Sequence, residues 1–456
     1  MVYLSRRDLL GSIAAAGVTS LATGSCVAAT AIDTKEPPLS AADRRQAVDM
    51  LLAYFKRTGP TLFRNPGGYL HYPTISPSQP GKAYSAELWD WDTYWTARGL
   101  FQLAKLSNDK ELHQKACEHA QGSLYSFFDG QSAEGRIPIM ISIDHEDFFG
   151  STKKQPRNPC NQAKPVMGQL ALLVADELND AAWFAPRFES LLRFYEAWDA
   201  ENLSSIGLYV WGNDVAIGDD NDPTTFGRPE FSSANVMLNC LFYQDLRAAA
   251  ELAQRLERPK DAKRLQAKAD ELGATIQECC WDPRDRFYYT VDVQCKDRRS
   301  ELLPNVPQGM SMSWRCLPLR IQMVTGFMPL WCGLATPQQA GDLLKRNYFD
   351  DDRFRANAGI RTLSSQETMY SLTSMSGNPS NFLGPVWIIA NYFVWKALRG
   401  YGFISAANEL ADKTIHLLAS DIATSGTLNE YYHPDTGQPL SHSGFIDWNL
   451  LVLEMI

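Results

Sequence analysis

Apolar residues recur every three or four positions over most of the chain, the spacing that lines one face of an α-helix. The run 41–56 puts Ala47, Met50, Leu51, Tyr54 and Phe55 on one face, with Ser40 standing where an N-cap oxygen belongs. The same spacing predicts helices over 93–104, 110–127, 162–178, 182–198, 233–256 and 259–280, then over 337–346, 384–399, 404–419 and 444–454. Strand-like alternation is confined to 286–293, where Phe287, Tyr289, Val291 and Val293 alternate, and to 137–143. The expected fold class is all-α, with a few short strands in loops.

Short links alternate with long links rich in Gly, Pro and Asp, and the long links carry most of the acidic and aromatic residues. Short links make helical hairpins, and long links gathered on one face make a cleft. The pattern therefore suits a closed ring of hairpins, an (α/α)6 toroid. No period of 34 or 40 residues supports the rival, an open solenoid of repeats. Residues 59–82 lack any period and read as a loop, of a length usually kept for function.

Composition narrows the function. A chain of 456 residues with 45% hydrophobic and 21% charged residues can bury a large core, and its net charge of −9 argues against nucleic acid or an anionic membrane as partner. The 12 Trp and 18 Tyr fill cores, but aromatic rings also wall sugar-binding clefts. After a first cysteine at Cys26, eight remain, without Cys-x-x-Cys or paired Cys/His spacing, and the seven His are scattered. No metal or cofactor is expected.

The first 31 residues read as a targeting segment: Ser5-Arg6-Arg7-Asp8-Leu9-Leu10, a small apolar stretch over 13–21, then Ala29-Thr30-Ala31. They resemble a bacterial twin-arginine export signal, which implies a periplasmic or secreted protein whose single domain spans 32–456. The apolar stretch is too weak for a stable membrane span. Lipid attachment at Cys26 is disfavoured, because Thr23-Gly24-Ser25 lacks the leucine expected three residues before a lipidated cysteine.

The candidate chemistry lies in two places. Residues 211–223 carry Asp214, Asp219, Asp220 and Asp222 around Gly218. Like charges so crowded raise at least one pKa, which suits a general acid, though crowding does not choose among Asp219, Asp220 and Asp222. Calcium binding is the other use of such a loop, but an EF-hand's spacing and its bidentate Glu are missing. A partner carboxylate stands far along the chain, Glu430 in Asn429-Glu430-Tyr431-Tyr432.

Five segments resemble one family group. Trp89-Asp90-Trp91-Asp92-Thr93-Tyr94-Trp95 with Arg98-Gly99-Leu100 is similar to a segment of trehalases, and its Trp-x-Trp-Asp to the processing α-glucosidases and mannosylglycerate hydrolases. Asn161-Gln162-Ala163-Lys164-Pro165 resembles their Gln-Pro-Pro, with Lys164 in place of a proline. Ile217-Gly218-Asp219-Asp220-Asn221-Asp222-Pro223 resembles their Ser-Gly-x-Asp-Asn-Ser-Pro, with Ile217 in place of the serine. Gly384-Pro385-Val386-Trp387 through Asn391, and Glu430-Tyr431-Tyr432-His433-Pro434 through Trp448, complete the series in the family's order.

The resemblance implies an (α/α)6 inverting glycoside hydrolase that releases glucose from an α-linked disaccharide or oligosaccharide. By match Asp220 is the general acid and Glu430 the general base. Trp89, Trp91, Asp92, Gln162, Trp387, Tyr431 and Trp448 would contact sugar, with Asn391 a further contact. The partner implied is a small carbohydrate, with no cofactor; the oligomeric state is not legible. A periplasmic α,α-trehalase is an alternative, although no Pro-Gly-Gly-Arg-Phe precedes Trp91. A uronyl hydrolase or lyase would need a more basic cleft. A sugar-binding toroid without chemistry would not need both Asp220 and Glu430.

Overall fold

The computed structural model describes residues 40–153, 161–295, 299–307, 309–310, 313–350, 352–374 and 376–456. The export signal expected over 1–31, with Cys26, lies outside the described residues. Helices carry the fold: α1 (Ala41–Thr58), α2 (Asp90–Ser107), α3 (Lys110–Asp129), α4 (Met167–Leu178) and α5 (Phe188–Asn202) lead to α6 (Val236–Arg255) and α7 (Pro259–Cys280). Then come α8 (Pro337–Leu344), α9 (Ile388–Gly400) and α10 (Ile404–Ser425), and a 3-10 segment Asp447–Glu454. Ser40 accepts from the Asp43 N–H as the expected N-cap, and Asn235 and Thr336 cap α6 and α8 in the same way.

Several helices begin later than periodicity predicts, each for a local reason. Pro165 disfavours helical backbone at Lys164, so α4 starts at Met167 rather than 162. Ser233–Ala234 is drawn into a strand against Val291–Asp292, and α6 starts after it. Gly384 has φ +143 and Val386 bridges both Arg361 and Tyr432, so α9 starts at Ile388. Residues 182–187 form a 3-10 turn holding Pro186 before α5. The final segment is 3-10 rather than α-helical. Strands are short and antiparallel, in pairs such as Glu87–Trp89 with Met140–Ser142, where Trp89 faces Met140, and in one three-stranded set in which Val291–Asp292 lies between Ser233–Ala234 and Leu317–Pro318.

Packing closes on itself. Segment α2 touches α4, α4 touches α6, and α6 touches the short helix Met328–Trp331. That turn packs on α9, α9 on 447–454, and 447–454 back on α2. Outside this cycle α3 covers α2 and α4, α7 covers α6, and α10 joins α9 to α1. The buried core runs through the cycle, with Trp95, Phe242, Leu330, Val394 and Leu450 all under 5% exposed. Far from the helix starts, Arg98 pairs with Glu454, which also takes Lys396 at 2.8 Å and the Tyr392 hydroxyl at 3.0 Å. No described helix is long and apolar enough to cross a membrane, and Cys117, Cys240, Cys279, Cys280, Cys295, Cys316 and Cys332 are unbridged.

Candidate active site

The segments singled out in the sequence lie at or just before the N-terminal ends of the inner helices. Trp91 and Asp92 open α2, Gln162 and Lys164 precede α4, Trp387 is the N-cap of α9, and Asp447 and Trp448 open the last segment. These helix starts thus collect carboxylates where helix dipoles favour negative charge.

The acidic loop is bent by three residues with positive φ, Ala216, Gly218 and Asn221. Gly218 is needed for space as well, because a Cβ there would lie 2.9 Å from the Trp91 ring. Asn161 clamps the loop, donating to the Val215 carbonyl at 2.8 Å and accepting from the Gly212 N–H at 2.9 Å. Lys164, 2% exposed, pairs with buried Asp90 at 3.0 Å and donates to the Ala216 carbonyl at 3.0 Å.

The structure separates the three aspartates. Asp219 and Asp222 are fully buried, and the Asn235 amide donates to both at 3.0 and 2.9 Å. Asp222 also accepts from the Thr224 N–H and hydroxyl, each at 2.7 Å, which makes it a turn-former. Burial, and then the charge of Asp222, push Asp219 well above the usual carboxylate range. Asp220 is partly exposed. Burial raises its pKa and the negative Glu430 adds to the rise, while a hydrogen bond from Asn378 and the charge of Lys164 oppose it.

Glu430 is 3% exposed and its two oxygens differ. Oε2 lies 2.5 Å from His442 Nδ1 and accepts from the Ser441 hydroxyl at 3.2 Å, whereas among the described residues Oε1 meets only the Ser380 hydroxyl at 3.4 Å. Residues 378–382 touch both carboxylate-bearing residues. The Phe382 N–H donates to the Asp220 carbonyl at 3.0 Å, and Tyr431 donates its hydroxyl to the Pro379 carbonyl at 2.6 Å.

A second carboxyl pair borders the site. Asp447 accepts from Thr96 at 2.7 Å and hydrogen-bonds to Asp92. Burial raises Asp92 to about 7, and burial followed by the Asp92 charge carries Asp447 well above its usual range.

Aromatic rings continue the wall: Trp91 and Trp448 have centroids 5.9 Å apart, Trp448 and Trp387 5.3 Å, and Trp387 stacks on Tyr431 at 4.8 Å. Trp89 is half-buried beside Tyr84 and Phe149, its N–H donated to Glu87 at 2.6 Å. Gln162 is 1% exposed, and neither end of its amide meets a partner among the described residues, an arrangement that is costly unless something else pairs with it. Asn391 is not a sugar contact: its amide is engaged by the Ile360 N–H at 2.8 Å and Thr414 at 3.0 Å, deep in the core.

Sequence reasoning passed over Tyr84, Lys164, His442 and Asp447. Tyr84, at φ +65, sets its hydroxyl among the charges of Glu430, Asp220 and Asp92; burial, more than those charges, pushes its pKa up. It falls just beyond the long loop flagged for function. The others sit inside quoted segments or beside them, but only their contacts reveal them. Cavities of about 420 and 780 Å³ lie elsewhere, one beside Arg98 and Gln244 and one between α5 and α7, and neither includes these carboxylates. No group of three or more His, Cys, Asp or Glu among the described residues is arranged to hold a metal ion.

Comparison with known proteins gives this geometry a context. A curated mannosylglycerate hydrolase of Thermus thermophilus is 27% identical over 169 residues, which cover 37% of this chain and 32% of that protein. The chain thus spans about a third of the curated relative it matches. The crystal structure of a GH63 mannosylglycerate hydrolase from Thermus thermophilus in complex with glucose superposes with a TM-score of 0.61 at 20% identity, covering 90% of this chain and 98% of that one. The neutral trehalase Nth1 from Saccharomyces cerevisiae superposes with a TM-score of 0.57 at 16% identity, covering 84% and 74%. These likenesses show a shared fold. Residues 86–446 match the family model of the mannosylglycerate hydrolase MGH1-like glycoside hydrolase domain, and by that match, which takes in Trp89 through Phe445, the chain belongs to this glycoside hydrolase family.

Proposed function

We propose that the protein is an inverting glycoside hydrolase that releases glucose from an α-glucosidic disaccharide or oligosaccharide, with Asp220 as general acid and Glu430 as general base. The observation that carries this is the pairing of an aspartate whose pKa burial raises, and whose buried Oδ1 meets no hydrogen-bond partner among the described residues, with a second carboxylate whose charge it feels and whose Oε1 is the less engaged oxygen. Asp220 would give its proton to the glycosidic oxygen as the C1–O bond breaks. A water on the opposite face would add to C1 and pass its proton to Glu430. Such an inversion needs carboxyl groups about 6.5–9.5 Å apart, with the water between.

The sugar would lie along Trp91, Trp448, Trp387 and Tyr431, with Trp89 at the rim. Asp92 and the Gln162 amide, which meets no partner among the described residues, would face its hydroxyls. The closed cycle of six inner segments supports the (α/α)6 toroid as the architecture. Residues 1–31 are proposed as an export signal, which would leave 32–456 as one domain in the periplasm or medium.

The test is a product and variant analysis over trehalose, kojibiose, nigerose, maltose, isomaltose, glucosylglycerate and mannosylglycerate. NMR should detect the sugar released from the attacked C1 first as the β-anomer, accompanied for trehalose by an equal amount of α-glucose from the leaving half; only the α-anomer at first would reject inversion. Asp220→Asn and Glu430→Gln should each abolish turnover with the melting temperature kept. Tight sugar binding with no turnover by the unmodified protein would leave a binding protein instead.

A further inference from the structure

We infer that His442 is the positioning residue of the base: it engages Oε2 of Glu430, so that Oε1 is the oxygen presented to the attacking water. The inference rests on the reading of Glu430 as general base. A glutamate's terminal torsion is broad and roughly two-fold, so a carboxylate without a strong donor on one side does not hold one oxygen toward a water. His442 supplies that donor at 2.5 Å, short even for a charge-assisted bond. Ser441 reinforces it, 3.2 Å from Oε2 and 2.9 Å from the imidazole nitrogen. On the other side Ser380 stands 3.4 Å from Oε1, long for a bond from a hydroxyl.

The arrangement is built by chain geometry. After Glu430 the chain turns at 433–438 and returns, with bridges pairing Tyr432 with Pro439 and Asn429 with Ser443, so that His442 comes back beside Glu430. From outside the loop Tyr84 meets the imidazole edge to face, centroids 5.0 Å apart, with its hydroxyl 3.3 Å from Nδ1. Lys82 reaches Ser443 at 3.3 Å from the same segment. The charged or titratable groups around the ring are therefore Glu430 on its own loop, Tyr84 and Lys82 opposite, and Asp220 and Asp92 beyond Tyr84. An ionised carboxylate only accepts, so the proton sits on Nδ1 whether the ring is neutral or cationic, and the clamp holds in both states. The Glu430 hydrogen bond, more than its charge, raises the His442 pKa against the effect of burial.

The experiment compares His442→Ala, His442→Asn and Glu430→Gln on the substrate found by the screen. His442→Ala should lower kcat on the order of 10²-fold, the cost of a misplaced reacting group, with KM changed less than about twofold. His442→Asn, whose amide N–H falls near the position of Nδ1, should regain kcat to within about tenfold of the unmodified enzyme. In the unmodified protein the Nδ1 proton should appear as a downfield NMR resonance that is lost in Glu430→Gln, a readout that needs no folded alanine variant. Full kcat in His442→Ala with an inactive Glu430→Gln would overturn the clamp and leave the base assignment standing. A rise in KM alone would make His442 a substrate contact and equally overturn it, as would a resonance unchanged in Glu430→Gln. An active Glu430→Gln would remove the base assignment itself.

Discussion

Asn221 donates its side-chain amide to the main-chain oxygen of Ser380 at 2.5 Å, and the Ser380 hydroxyl stands beside Glu430. The residue that follows Asp220 is thereby tied to the segment that touches the other carboxylate. The same asparagine adopts φ +66, a left-handed backbone that Asn tolerates better than most side chains.

Replacing Asn221 therefore tests the tie between the two carboxylates. Asn221→Ala should cost about 1–3 kcal/mol of stability, the penalty of an unmet buried acceptor, and should lower kcat. Asn221→Gly relaxes the backbone without restoring the amide, so comparing the two separates strain from the lost bond. Denaturant unfolding and kcat for both variants supply the check, and a glycine variant with full kcat would show that the tie is dispensable.

Lys164 predicts a pH effect. It opposes the rise of the Asp220 pKa, so Lys164→Met should move the alkaline limb of kcat/KM to higher pH. The same change strands Asp90 in the core and should destabilise the fold by about 3–5 kcal/mol, of which Lys164→Met with Asp90→Asn recovers a part. A limb that stays in place in the double variant would break the link between Lys164 and the acid.

Asp219 predicts the pH dependence of stability. Its folded pKa lies above the unfolded value, mainly through burial, so the folded state binds the additional proton. Its contribution is then fully present below about pH 4, the unfolded value, and is lost as pH rises toward the folded pKa. Asp219→Asn has no proton to lose there. Its melting temperature should gain on that of the unmodified protein as pH rises above about 4, while turnover stays within about tenfold because the acid is another residue. A gap that is constant with pH would contradict the shift, and loss of turnover would move the acid from Asp220 to Asp219.

Much of this was legible in the chain. The periodic faces around Leu51, Leu124 and Leu246 announced helices, and those helices formed. Helix starts were less legible wherever a strand bridge or a proline competed with the helix, as at Ser233 and Pro165, because periodicity registers burial and not the backbone partner that takes the N–H. The site followed the same division. Asp92, Asp220, Trp387 and Glu430 could be singled out because their residue types stand in ordered segments.

Sequence by itself determined the helical character, through its local pattern, and pointed to the family group and the residues worth watching through the resemblance of its ordered segments. Tertiary structure decided which aspartate turns inward to Asn235 and which is left partly exposed and senses Glu430. It also brought His442 back onto Glu430 and set Lys164 against Asp90. Those outcomes depend on burial and on contacts between distant segments, and both come into being only when the helices pack.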